Sequence, residues 1–441
     1  MSTPQPPRPA VSAGAPLVHP GPAPTEPVYV RTERIDDDVD LLAHIPAEFT
    51  AAWIHHRQGL VGLGEAVRLT AVGPSRFADA SRAFRELAER AVVEDEVRVR
   101  GTGLVALGSF SYAASSPRES VLVIPRAILG VSEGEAFLTV VAVGAPPRSP
   151  ADWRDLFGST PVAPAARVEL EPDHTPREYQ GLVAAAIDRI RAGEAQKVVL
   201  SETSTVTLSE PVERAALVRR LAESYASTWV YAASDVLGAS PEMLAQTEHG
   251  RVFSRVLAGT RPVAEGAELA EEDRRAFRAD AKERAEHAFS LDSVTSRLTQ
   301  VAHEIEASPE PFVLRLPGLE HLASDVSARL REGVTSLDVA AALHPSAAVS
   351  GMPREDADAI IAELEAHDRG GYAAPVGWMD ASGDGQWAIA LRMAHVLGRD
   401  TVRLQAGGGI VEGSDPVLEH AEALAKTRPV LSALRGVSSR A

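Results

Sequence analysis

The chain of 441 residues contains no cysteine. That excludes disulfides, thiolate metal ligands and a cysteine nucleophile, and with them any cysteine-dependent glutaminase within this chain. Long apolar runs are missing as well: none approaches the ~20 residues that span a bilayer. The N-terminus lacks the charged-then-apolar order of a signal peptide, so a cytoplasmic location is expected. No H-E-x-x-H or Cys/His zinc spacing occurs, and no repeat of solenoid period. Positive charge is in deficit. Lys and Arg number 44 against 61 Asp and Glu, a formal net charge of −17. Nucleic acid and anionic membranes are poor partners for such a surface, and a small anionic substrate would need a local cationic or metal-bearing site.

What is present is an ordinary globular composition, 45 % hydrophobic and 24 % charged. The length suits two or three average domains or one large one. Residues 1–28, rich in Pro, Ala and Ser, read as a disordered tail. Residues 29–441 read as the folded part, with an N-terminal portion 29–166 and a catalytic portion 167–441. In the first portion, Phe77 to Val93 has helical spacing, and Val121–Pro125 and Ala136–Val141 read as strands. The glycines at 62 and 64 read as a turn, because a nucleotide loop would need a third. Pro146 to Pro164 reads as a connection. In the second portion, helices are predicted over Pro176–Gly193, over Glu271–Ile305, and from Pro353 to Gly370-Gly371. Strands start at Lys197, Thr228 and Arg251. Tyr372–Asp380 and Trp387–Leu397 flank the turn signal Gly383-Asp384-Gly385. This mixture favours α/β or α+β with largely antiparallel sheet.

The stretch Ser414–Lys426 organises the chemistry. It follows a β-like run and a Gly-rich turn, Ala406-Gly407-Gly408-Gly409. Asp415 can cap a helix and Pro416 suits its first turn. Glu419, Glu422 and Lys426 then share one helical face. Glu283 and Glu286, beside His287, add two more carboxylates from another helix. Four carboxylates form an all-oxygen set of the kind Mg²⁺ prefers. Lys197 opens a strand suited to burial; desolvated, its amine can serve as a base. Glu242, after Ser240-Pro241, is an ordinary turn residue unless it faces Lys197, in which case the two make one base and one acid. Arg392, inside the strand Ala388-Ile-Ala-Leu-Arg-Met-Ala, needs an anion: an internal carboxylate or a bound one.

Nine segments resemble, in order, the chorismate-utilising enzymes, the family of isochorismate synthase, salicylate synthase and the anthranilate synthase large subunit. They are Lys197-Val-Val-Leu-Ser, Leu237-Gly-Ala-Ser-Pro-Glu, Leu257-Ala-Gly-Thr-Arg-Pro, Glu286-His287, His321-Leu-Ala-Ser, Leu343-His-Pro-Ser-Ala-Ala-Val-Ser-Gly-Met-Pro, Tyr372-Ala-Ala-Pro-Val-Gly-Trp, Ala390-Leu-Arg and Ala406-Gly-Gly-Gly-Ile-Val. The resemblance covers roughly residues 177–434. It implies one large α/β domain of two stacked, mainly antiparallel sheets flanked by helices, with chorismate as substrate and Mg²⁺ as cofactor. It implies Glu286 and Glu422 as direct metal carboxylates, with Glu283 and Glu419 in the same cluster. Arg392 and Tyr372, helped by the Gly407 backbone, would grip the enolpyruvyl carboxylate. Gly259, Thr260, His321, Ala348 and Lys426 would line the rest of the pocket.

Within that family, members adding water carry lysine where Lys197 stands, and ammonia-adding members typically carry glutamine. Lys197 would take a proton from water and Glu242 would protonate the departing C4 hydroxyl. The expected activity is isochorismate synthase, favoured over salicylate synthase from the stretch Ala347–Pro353, and siderophore synthesis is expected in preference to menaquinone. A salicylate synthase, an ammonia-using aminodeoxyisochorismate or anthranilate synthase, and a non-catalytic chorismate-binding homologue are the rivals. No glutaminase subunit is expected, and a monomer is. Three positions depart from the family pattern: Ala374 where glycine is common, Gly408 where alanine is common, and Glu202 where a basic residue often follows.

Overall fold

The computed structural model describes residues 24–163, 165–263, 270–316 and 319–436. The tail expected over 1–28 therefore lies outside the described residues, save its last few, where Val28 already opens a strand. Among the described residues are eight helices. They are α1 (Arg76–Ala88), α2 (Pro176–Arg191), α3 (Arg214–Ser224), α4 (Glu271–Ala279), α5 (Ala281–Leu298), α6 (Ser336–Leu343), α7 (Arg354–Leu364) and α8 (Pro416–Arg435). None is long and apolar enough to cross a membrane.

Two large sheets carry these helices, one of thirteen strands and one of ten. The expected mixed α/β architecture with mainly antiparallel sheet is what forms; Val28–Ile35 with Val92–Asp95 is a parallel exception. Both sheets draw on the N- and C-terminal parts of the chain. In the first, Phe49–His55 pairs with Trp229–Ala233, and in the second Val105–Ser109 pairs with Pro375–Asp380. Their inner faces close on one apolar core that includes Trp53 and Tyr231 from the first sheet and Leu107, Trp378 and Trp387 from the second. The indole of Trp53 donates across the gap to Gln386, at 2.8 Å. A second core packs α3 and the end of α8 on the outer face of the first sheet. A third gathers α2, α7 and α8 over the strands Lys197–Leu208 and Thr401–Ile410.

Several boundaries differ from the sequence expectation, each for a local reason. The long helix over 271–305 is two helices and a strand. Asp280 is extended (φ −61°, ψ 121°) and its carboxylate accepts from the Glu283 amide at 3.0 Å, so it ends α4 and caps α5. Ile305 lies on the strand Ala302–Ala307, which pairs with Leu319–Leu330. The helix expected from Phe77 to Val93 stops at Ala88, and Val92–Asp95 joins the first sheet. α7 ends at Leu364, well short of Gly370, because Glu365 turns inward to pair with Arg369. The glycines at 407–409 are not a turn: they lie inside the strand Thr401–Ile410.

One correction matters for chemistry. Trp387 to Leu397 is not one strand. Gly385–Ile389 belongs to the second sheet and Met393–Val396 to the first. The chain crosses between sheets at Ala390–Arg392, and Arg392 takes a left-handed φ of 49°. The same switch occurs between Val236–Ser240 and Met243–Glu248, where Pro241 and Glu242 make the crossing. Arg392 and Glu242 thus stand at two strand corners between the sheets.

Candidate active site

Lys197 is the first residue of its strand, and the glycine run lies opposite: Val199 pairs with Gly409, Leu200 with Gly408 and Ser201 with Gly407. The run keeps space for side chains from elsewhere. A Cβ on Gly409 would stand 2.5 Å from Lys197 Cε, and one on Gly408 3.1 Å from Glu419 Oε2 and 3.8 Å from Glu422 Oε1. One strand of glycines therefore puts the Lys197 amine and the acidic face of α8 side by side.

Lys197 and Glu242 line the same cavity, together with Ser290, Ser346, Ala348 and Ile389. Glu242 keeps some exposure toward that cavity, but protein surrounds it otherwise. Burial pushes its carboxyl up to about 7, against the opposing pull of Lys197, Arg392 and Lys426. Lys197 Nζ stands 3.3 Å from Glu286 Oε1 on α5. Burial lowers the pKa of His321, which is close enough to feel both Glu286 and Lys197. His321 lies opposite Thr260 in the sheet, beside a bulge at Gly259 whose φ of 76° suits glycine. A Cβ on Gly259 would meet Glu283 at 3.1 Å, so that glycine lets α5 approach. His287, next to Glu286, fixes the helix: its ring nitrogens contact the Ala258 carbonyl at 3.1 Å and the Ser324 hydroxyl at 2.8 Å.

The second half of the site is built on α8. Asp415 caps this helix through the amides of Val417 and Leu418, as its sequence predicts. Lys426 Nζ donates to the Gly407 carbonyl at 2.8 Å and pairs with Glu422 Oε1 at 2.7 Å. Glu419 accepts from the Ser414 hydroxyl at 2.7 Å; burial raises its pKa and Glu422 adds to the rise. Tyr372 is buried, its hydroxyl pushed up to about 12 by burial and held by the Gly407 backbone. Arg392 feels Tyr372, Glu422 and Glu242, while burial lowers its pKa. Among the described residues no carboxylate ion-pairs with Arg392, so the internal salt bridge weighed from sequence does not form. A guanidinium in that state is suited to an incoming carboxylate.

The four glutamates supply oxygen donors alone, the set that suits Mg²⁺. Gly408 leaves the room beside Glu419 and Glu422 that a side chain would fill. Among the described residues no three acidic or imidazole groups converge as a ready coordination cluster. Glu286 and Glu422 each face a lysine side chain instead, Lys197 and Lys426. The donor chemistry fits the ion, and these two lysine contacts are what it would displace.

Residues 47–435 match the family model described as chorismate binding enzyme. The chain belongs to the chorismate-binding enzymes. Over 279 residues, 60 % of this chain and 69 % of the relative, it is 35 % identical to the isochorismate synthase DhbC of Bacillus subtilis. It is also 38 % identical over 277 residues to anthranilate synthase component 1 of Streptomyces coelicolor, across 60 % of this chain and 53 % of that one. Its fold matches that of the menaquinone-specific isochorismate synthase MenF from Escherichia coli, with a TM-score of 0.75 and 22 % identity, covering 93 % of this chain and 95 % of that one. Overall identity to an isochorismate synthase and to an anthranilate synthase component is thus similar, and the residues at the site must separate the two.

Sequence reasoning missed three of these. Ser346 lines the cavity, and its hydroxyl is buried without a partner among the described residues. Arg297 donates to the Leu343 and Pro345 carbonyls at 3.3 and 2.8 Å, fixing the loop that carries Ser346 and Ala348. Arg369, ion-paired with Glu365 at 2.7 Å, donates to the carbonyls of Val199 and Val349 and ties that loop to the Lys197 strand. Glu365 and Arg369 are spaced four apart, but without burial such spacing reads as a solvated pair.

Proposed function

We propose that this chorismate-binding enzyme is an Mg²⁺-dependent isochorismate synthase, converting chorismate to isochorismate. One observation carries the reading: an amine, Lys197, and a carboxyl held near 7, Glu242, line one cavity. The reaction replaces a hydroxyl at C4 by one at C2. Neutral water is a poor nucleophile and hydroxide a poor leaving group, so both proton transfers need a partner. Lys197, as free amine, takes a proton from water as its oxygen bonds to C2. The ring double bonds shift, the C4–O bond breaks, and Glu242 gives its proton to that oxygen, which leaves as water. Water in and water out make the product an isomer, and solvent returns each group to its starting state. A carboxyl near 7 still carries the proton it must donate in about half of the molecules at neutral pH, where an ordinary glutamate would have lost almost all of it.

Arg392 and Tyr372 orient the enolpyruvyl carboxylate, and His321, Ala348, Gly259, Thr260 and Lys426 complete the wall. Glu286 and Glu422 would hold Mg²⁺ with Glu283 and Glu419 beside them. When bound, the ion supplies positive charge that neutralises these carboxylates and the ring carboxylate of the substrate. The stretch Ala347–Pro353 favours isochorismate synthase over salicylate synthase, and the product is read as a precursor for siderophore synthesis rather than menaquinone. The test is one product analysis by chromatography with chorismate and Mg²⁺. Isochorismate is expected. Salicylate with pyruvate, an amino product formed preferentially when ammonium is added, or tight binding with no product would each overturn the assignment.

A further inference from the structure

A second cavity, of about 720 Å³, lies behind one wall of the active site, between the start of α1, the chain around Tyr112, and α7. The chemistry above does not use it. Cations gather at one end. Arg76 is 5 % exposed. It donates to the carbonyls of Ser111, Gly73 and Tyr112 at 3.0, 3.3 and 2.8 Å, and its guanidinium lies 4.7 Å from the centre of the Phe77 ring. Among the described residues no carboxylate pairs with it. Arg354 also lines the cavity, with one long contact to Asp358 at 3.5 Å. These charges oppose each other: burial lowers the pKa of Arg76 to about 10, and Arg354 contributes. Burial first, then Arg76, Arg354 and Arg297, push His344 down to about 3, leaving it neutral.

Arg76 is also the first residue of α1, whose Ser75 provides no side-chain cap. A cation there opposes the helix dipole. A buried guanidinium with no counter-charge, at the positive end of a helix and beside a second arginine, is an unfavourable arrangement that an anion would relieve. The carboxylates on the same wall are already engaged. Asp358 accepts from Ser350 and Tyr112 at 2.6 and 3.2 Å, Glu365 pairs with Arg369, and Asp368 accepts from Ser116 at 2.7 Å. They limit the charge a ligand can bring. Much of the remaining lining is apolar, including Phe77, Ala113, Pro345 and Ile361.

We propose that this cavity is a second ligand site for a small organic monocarboxylate, its head between Arg76 and Arg354 and its ring-sized apolar body on Phe77 and Pro345. The site bears on catalysis through a shared wall. His344 and Pro345 line this cavity, while Leu343, Ser346, Ala347 and Ala348 line the one holding Lys197. An occupant presses on the loop that shapes the active site, so the ligand acts as an effector.

The first test soaks crystals of the full chain in 4-iodobenzoate. An anomalous iodine peak beside Phe77 is expected; iodine confined to the Lys197 cavity overturns the proposal. In solution, calorimetric titration with benzoate should show one more site in the natural chain than in Arg354→Gln, whose affinity at that site falls roughly tenfold or more with the loss of a charge-assisted contact. Equal stoichiometry and affinity in both proteins overturns it. Arg354→Gln should turn over chorismate normally without benzoate. Benzoate should inhibit the natural chain non-competitively with chorismate, and purely competitive inhibition overturns the effector role. The binding measurements need no turnover, so they stand or fall independently of the reaction assigned above.

Discussion

Replacing Glu242 with glutamine tests the acid directly. Glutamine keeps the shape and loses the proton. Removing a general acid from a displacement with a poor leaving group costs ~10²–10⁴ in rate, so kcat for isochorismate formation should fall by that factor while the KM for chorismate changes little. The pH profile carries more information. The proposed acid role needs Glu242 protonated, and burial pushes its carboxyl up to about 7; activity of the natural enzyme should therefore decline as pH rises through about 7. In Glu242→Gln that limb should vanish. Stability gives an independent reading with its own sign. Folding raises this carboxyl from its ordinary 4.5 to about 7, so the folded state binds the proton more tightly than the unfolded chain. The resulting cost is absent below 4.5, accumulates as pH rises, and is complete above about 7. It amounts to up to about 3 kcal/mol, less to the extent that water in the cavity screens the charge. Denaturant unfolding should thus find Glu242→Gln more stable than the natural protein at pH 8, with the gap closing toward pH 4. Turnover within about tenfold of the natural enzyme, or a surviving alkaline limb, would refute the acid role.

Lys197→Ala should abolish water addition while calorimetry still detects chorismate binding; undiminished turnover would refute the base. Gly409→Ala places a methyl 2.5 Å from Lys197 Cε, the flexible end of that side chain, so turnover should drop with an unfolding midpoint close to that of the natural chain. A large loss of stability instead would mean that the strand, rather than the lysine, cannot accommodate the methyl. Chelation should stop turnover and added Mg²⁺ restore it; Glu422→Gln should raise the Mg²⁺ concentration required by roughly tenfold or more, and an unchanged Mg²⁺ dependence would remove Glu422 from the metal set.

The α8 half of the candidate site was legible because its residues lie on one regular element with strong local signals. The cap at Asp415, the proline at 416 and the spacing of Glu419, Glu422 and Lys426 depend on one helix and came out as read. What sequence periodicity could not see was the switching of strands between sheets. Trp387 to Leu397 has unbroken strand character, yet Ile389 and Met393 lie in different sheets. The break is imposed by tertiary pairing, in which Ala390 bonds to Ala374 and Ala373 to Ala390. The glycines at 407–409 were misread for a related reason. Glycine usually marks a turn, but here it lies within a central strand where a Cβ would meet Lys197 or the α8 carboxylates. The break at Asp280 hid in a stretch of continuous helical spacing, since a capping aspartate looks like any surface acid.

The strand switches explain how Glu242 comes to line one cavity with Lys197. A residue within a regular strand presents its side chain to one face, and half of each strand is committed to the core between the sheets. Glu242 and Arg392 escape that commitment because they sit where the chain leaves one sheet for the other. Lys197 escapes it by being the first residue of its strand. The glycine strand then removes the side chains that would separate these groups from α8. Each device gives up something in local stability, a left-handed arginine at 392 and three consecutive glycines in a sheet interior among them. The large shared core carries that cost, so the site can hold a carboxyl near 7 and several facing charges without its own packing sustaining the fold.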